Sequence, residues 1–131
     1  MPERIPHLGE AELEIMMILW SAEEPVPSTW IHKRLLESRN WSLSTLMYSL
    51  SRLAEKQVVL CDRSTRSNLY SPLISEAAYK QSVSRSFLDR LYGNSLPGLV
   101  MSLYDGKAIS RADLDELRAF LDELEGETKN D

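Results

Sequence analysis

The chain has 131 residues, 43% of them hydrophobic, and a formal net charge of −5. That length holds one ordinary core, or a small domain with an appended helical element, and it excludes a large multidomain enzyme. The longest apolar run, Ile15 to Trp20, is far too short to span a membrane, and no apolar stretch follows Met1-Pro2-Glu3-Arg4, so a cytoplasmic protein is expected.

Helix starts carry a repeated device, an apolar residue ahead of the cap and another five positions on, the spacing of a hydrophobic staple. Leu8 and Leu13 flank Gly9 and predict a helix over 9–22. Val26 and Ile31 flank Pro27 and predict a second over 28–38, with Pro25-Val26 as a short strand ahead of it. Trp41 and Leu46 flank Ser42 and predict a third over 43–56. Val58-Val59-Leu60-Cys61-Asp62-Arg63, a polar Ser64-Thr65-Arg66 and Ser67-Asn68-Leu69-Tyr70-Ser71 then read as two strands around a turn. Cys61, the single cysteine, can make neither an internal disulfide nor a thiolate metal cage and reads as a small strand hydrophobe. Ile74 and Tyr79 around Ser75 predict a helix over 75–92, and a fifth helix follows over 95–104, with Pro97 in its first turn. Ile109 and Leu114 around Ser110 predict the last over 110–124, where Ser110 and Asp113 also have the spacing of a capping box.

Helix, strand, helix, helix, hairpin is the order of a winged helix-turn-helix. The expected fold is mainly α: a winged-helix DNA-binding domain with a two-stranded β wing over 1–74, a helical dimerisation domain over 75–125, and a disordered acidic tail over 126–131. Charge divides the same way. Residues 26–74 hold seven basic side chains against three acidic ones, whereas residues 75–131 hold seven against eleven. The basic half suits phosphate, and the acidic half is kept off it.

On the third helix Leu43, Leu46, Leu50 and Leu53 form one apolar face, which leaves Ser44, Thr45, Tyr48, Ser51, Arg52 and Glu55 on the other. Ser44, Thr45 and Tyr48 offer hydroxyls, and Arg52 offers a guanidinium for phosphate or for a bidentate contact to guanine. Arg63 and Arg66 on the wing, with Ser28 and Thr29 at the start of the second helix, are expected to grip the DNA backbone. Trp20 and Trp41 read as core, and the place of Trp30 is left open. His7 and His32 have no partner at metal-ligand spacing, and no nucleophile-base pattern or Gly-rich phosphate loop appears, so no metal, no cofactor and no catalysis are expected.

Behind the wing, Val83, Phe87 and Leu91, then Leu96, Leu99, Val100 and Leu103, then Leu114, Leu117, Leu121 and Leu124 form three apolar stripes on helices too short to bury them alone. A second copy of the chain is the simplest cover, and a two-fold pair suits a recognition helix that alone reads too few base pairs. Phe87, Leu91, Leu99, Leu103, Leu114, Leu117 and Leu121 are the expected dimer residues.

The run Leu8-Gly9-Glu10-Ala11-Glu12-Leu13-Glu14-Ile15-Met16 resembles the first helix of the penicillinase-repressor family of bacterial regulators, the BlaI/MecI/CopY group. Trp41-Ser42 with Thr45, Leu50, Ser51-Arg52-Leu53 and Lys56 resembles the family's recognition segment. Residues 70–76 and 84–93 are similar to its approach to the dimerisation helices. The resemblance, which runs from Leu8 to Leu124, implies a homodimer that silences promoters at inverted-repeat operators in double-stranded DNA and is released when a sensor protease signals antibiotic stress. It also implies that Thr45 and Arg52 contact DNA. Ser44, Met47 and Tyr48 stand where the family usually has Lys, Lys or Arg, and Thr, which predicts weaker, less salt-dependent binding or a different operator. Ser102-Leu103 replaces the family's Asn-Phe cleavage bond, which argues against proteolytic release, and the paired C-terminal cysteines of the copper-responsive branch are absent. The competing expectation is a dimeric winged-helix adaptor that binds another protein and has lost strong DNA binding.

Overall fold

The computed structural model describes residues 5–130; the Met1–Arg4 start and Asp131 at the end of the expected tail lie outside the described residues. The elements run α1 (Glu10–Ser21), β1 (Val26–Pro27), α2 (Ser28–Leu35), α3 (Leu43–Glu55), β2 (Val59–Asp62), β3 (Leu69–Pro72), α4 (Glu76–Tyr92), α5 (Leu96–Asp105) and α6 (Arg111–Asn130). They fall into two compact units, Met1–Ser84 and Arg85–Asp131.

In the first unit the hairpin β2–β3 is joined on its other edge by β1, giving an antiparallel sheet in the order β1-β3-β2. Tyr70 is the middle of this sheet, opposite Val26 on one side and Cys61 on the other. Ile15, Met16 and Leu19 of α1, Ile31 and Leu35 of α2, Leu46, Leu50 and Leu53 of α3, and Val58 and Val59 at the start of the wing are all buried in one core. Removing each such side chain from water contributes about 1.5–3 kcal/mol, enough to fix how each helix is rotated. Leu43 departs from the expected inward stripe and is 39% exposed, because it is the first residue of α3 and lies beyond the end of the core.

The passage from α3 into the wing has a defined geometry. Gln57 takes a left-handed backbone (φ 65°), its N–H donates to the Ala54 carbonyl, and the Val58 N–H reaches back to that of Leu53. This is a Schellman closure, and the buried Leu53 and Val58 lie at its two ends.

The first unit extends beyond the expected border at residue 74. Tyr79 of α4 is buried, its ring lies 5.7 Å from that of Trp20, and its hydroxyl accepts the Leu8 N–H at 3.2 Å. Those contacts tie the first half of α4 to α1, so the division falls within the helix, between Ser84 and Arg85.

In the second unit Ser95 caps α5 by accepting the Gly98 N–H. Ser110 and Asp113 form the expected reciprocal capping box of α6, with Asp113 N–H donating to Ser110 Oγ and Ser110 N–H to Asp113 Oδ2. The expected disordered tail needs correction: α6 continues to Asn130. Glu125, Glu127 and Lys129 are good helix formers and no proline interrupts them, and the poorest residue of the stretch, Gly126, costs only about 1 kcal/mol.

Candidate nucleic-acid interface

The surface of interest grows from the start of α3. Ser42 is extended (φ −74°, ψ 161°) and its Oγ accepts the Thr45 N–H at 3.1 Å, while the Ser42 and Thr45 hydroxyls lie 2.9 Å apart. The segment before it is held from behind. His32 Nε2 donates to the Trp41 carbonyl at 2.7 Å, and Arg39 is paired to Glu14 of α1. With Leu46, Leu50 and Leu53 inside, the helix turns Ser44, Thr45, Tyr48, Ser51, Arg52 and Glu55 to solvent.

Tyr48 and Arg52, one turn apart, are joined. An Arg52 Nη1–H donates to the Tyr48 hydroxyl at 3.2 Å, and the guanidinium carbon lies 5.9 Å from the centre of the ring. The Tyr48 hydroxyl beside it, and more weakly the charges of Glu55 and Glu12, push the guanidinium still further up from its ordinary value. Arg52 is therefore a fixed cation.

The wing turn is shaped by Asp62, whose Oδ1 accepts both the Ser64 N–H (2.9 Å) and the Ser64 hydroxyl (2.6 Å) and whose carboxyl is held below its usual range by those bonds. Arg63 and Arg66 are exposed in the loop between β2 and β3. Among the described residues neither they nor Arg52 forms an ion pair. Ser28 and Thr29 open α2, half-buried and exposed respectively. Pro27 caps that helix with no side-chain bond, so the positive end of the helix dipole is open to an anion.

Two of the basic residues that make the first half positive are engaged internally. Lys56 Nζ binds both carboxylate oxygens of Glu12, and Arg39 pairs with Glu14 and, at 3.9 Å, with Glu10. The acidic first helix thus absorbs part of the positive charge that composition assigned to DNA. Trp30 is half-buried and bears Arg34 over its ring, 3.3 Å from the centroid. Sequence reasoning missed this stack and the Tyr48–Arg52 bond; both have the i, i+4 spacing that brings side chains together on a helix.

Trp20 and Trp41 pack against the core, and Trp20 Nε1 donates to the Ile74 carbonyl at 2.9 Å. Cys61 is a free, half-buried thiol, and among the described residues no cluster of His, Cys, Asp or Glu could hold a metal ion.

In the second unit no residue from Arg85 to Glu127 is buried. Phe87 is 48% exposed, Leu91 64%, Leu121 50% and Leu103 37%, and Leu99, Leu114 and Leu117 are half-buried. Ser102 and Leu103 lie exposed on α5. No helix among the described residues is long and apolar enough to cross a membrane.

A sheet-bordered helix-turn-helix with an arginine-bearing hairpin beside its second helix defines a winged-helix regulator of the DNA-binding class. The chain belongs to the penicillinase repressor family, whose model matches residues 8–123. It is 29% identical over 127 residues to the penicillinase repressor of Bacillus licheniformis, covering 97% of this chain and 98% of that protein. It is also 25% identical over 117 residues to that of Staphylococcus aureus, covering 89% and 92%. Two solved structures resemble the first unit. The B. licheniformis BlaI monomeric form in complex with the blaP half-operator superposes with a TM-score of 0.50 at 30% identity, covering 58% of this chain and 92% of that one. The DNA-binding domain of the repressor BlaI gives 0.51 at 29%, covering 60% and 94%. The family is one of transcriptional repressors, not of enzymes.

Proposed function

We propose that this chain is a homodimeric transcriptional repressor that acts in the cytoplasm and binds an inverted-repeat operator in double-stranded DNA, with no cofactor. The observation that carries the reading is the α3 face with Ser44, Thr45, Tyr48 and Arg52 exposed beside a wing whose Arg63 and Arg66 have no carboxylate partner among the described residues. α3 enters the major groove, the wing follows the backbone, and Ser28 and Thr29 meet phosphate at the open start of α2. The relative bound to its half-operator supports this assignment. Phe87, Leu91, Leu99, Leu103, Leu114, Leu117 and Leu121 form the dimer contact, because an apolar surface this extensive on a soluble monomer calls for a partner.

Release by a sensor protease is not part of this reading. Ser102-Leu103 replaces the expected bond, and the Ser102 carbonyl accepts the N–H of Gly106, the residue that caps α5.

The test is titration of a labelled fragment from upstream of the chain's own coding segment, against an unrelated fragment, at two salt concentrations. A large sequence-dependent difference at both salts is expected. Equal affinities would leave the adaptor reading in its place.

A further inference from the structure

We infer that Tyr48 is a positioning residue that sets the sequence preference of Arg52, so that the pair works as one guanine-selecting unit; this rests on the operator reading above. The geometry supplies the argument. Arg52 has five N–H donors, and the bond to Tyr48 uses one of them, on Nη1. Four remain, which is enough for a two-pronged contact. Because the Tyr48 oxygen accepts that bond, its own O–H proton is left to donate outward. The pair therefore faces the groove with an excess of donors, four N–H groups and one O–H against the remaining lone pair of the Tyr48 oxygen. In the major groove guanine alone presents two adjacent acceptors, N7 and O6, whereas adenine sets a donor beside its N7 and cytosine offers a donor. A pair this rich in donors favours guanine, whose two adjacent acceptors it can fill, over adenine and cytosine, which set a donor against it, and over thymine, which offers the single acceptor O4.

The bond also decides where the guanidinium rests. Glu55, three residues on, and Glu12 of α1 both attract Arg52, yet neither forms an ion pair with it. Tyr48, on the preceding turn and 64% exposed, holds the guanidinium on the outer face instead. Without the hydroxyl, Arg52 is free to fold onto Glu55 and must be drawn off it before it can read a base. An arginine already held near its bound position loses less freedom on binding, and its fork selects more sharply.

The experiment uses a duplex selected by the wild-type full chain from a randomised pool, with each G·C pair then changed to A·T in turn. Wild type, Tyr48→Phe, Arg52→Ala and the double variant are titrated against every duplex, and the quantity read is the ratio of affinities at each pair. Wild type should lose about tenfold or more at one G·C pair in each half-site. Tyr48→Phe should shrink that ratio several-fold at that pair alone, and it should change nothing further once Arg52 is alanine. A Tyr48→Phe protein that keeps the full ratio overturns the inference, as does one that lowers the ratio equally with and without Arg52. A wild type that selects no sequence overturns the operator reading itself, an outcome separable from the behaviour of Tyr48.

Discussion

Lys56 Nζ lies 2.9 and 2.8 Å from the two carboxylate oxygens of Glu12, so the residue that caps the end of α3 is clamped to the first turn of α1 across 44 residues of sequence. The same Glu12 accepts the Gly9 N–H at 3.2 Å and closes the start of its own helix. One carboxylate therefore serves both a helix start and the seating of α3.

That clamp makes stability depend on acid. Partial burial pushes the Glu12 carboxyl up, but the Lys56 hydrogen bond, the Gly9 N–H and the positive charges of Lys56 and Arg52 together outweigh it and leave it below its ordinary value of 4.5. A lowered folded-state value means the contribution is complete above that ordinary value and fades as pH falls through the lowered one. Glu12→Gln should cost about 1–2 kcal/mol at neutral pH. Denaturant titrations from pH 7 down to about 3 should show the variant converging on wild type; a constant gap between the two would deny Glu12 this role.

DNA binding by this surface should be only moderately salt-dependent, since Lys56 and Arg39 are engaged with α1. The slope of log K against log salt is expected to be shallower than about −6. Arg66→Ala should reduce it by about one unit per subunit with little change in sequence preference. Thr45→Ala combined with Arg52→Ala should instead weaken the operator complex more than the non-specific one. Filter binding across a salt series distinguishes these behaviours.

Charge placed on the apolar stripes should separate the subunits. Leu91→Glu with Leu121→Glu adds carboxylates at two positions that are 64% and 50% exposed in the single chain, so the subunit itself should still fold. Sedimentation equilibrium should show wild type as a dimer and the double variant as a monomer. A wild-type monomer, or a variant that stays dimeric, would move the contact elsewhere.

Gln57 offers a test of the fold alone. Its left-handed backbone suits glycine, so Gln57→Gly should be neutral or stabilising by up to about 1 kcal/mol, whereas the branched Gln57→Val should lose about 1–2 kcal/mol. Thermal melts decide between this outcome and a Gln57 that tolerates valine.

Much of this architecture was legible from residues that act locally. The staple pairs, Ser42, Ser75 and Ser110 as caps, and the polar turn between Leu60 and Leu69 depend on spacings of a few positions, and each marks an element where the structure has one. The exposed face of α3 followed from its leucine period, apart from Leu43, whose place depends on where the core stops. What escaped the sequence was long-range or geometric. The pairing of Glu12 with Lys56 joins distant segments, the buried Tyr79 draws half of α4 into the first unit, and the choice of Arg52 between Tyr48 and Glu55 turns on side-chain direction. The apolar stripe carrying Phe87 and Leu91 was legible as a pattern, and the structure leaves both side chains exposed.

The most direct test of the whole account is a hydroxyl-radical footprint of the full chain on the duplex that it selects. Two protected segments on one face of the DNA, centred about 10 base pairs or a multiple of that apart and related by an inverted repeat, are the predicted result. A single protected segment, or uniform protection with no preferred position, would contradict a pair of recognition helices reading a two-fold operator.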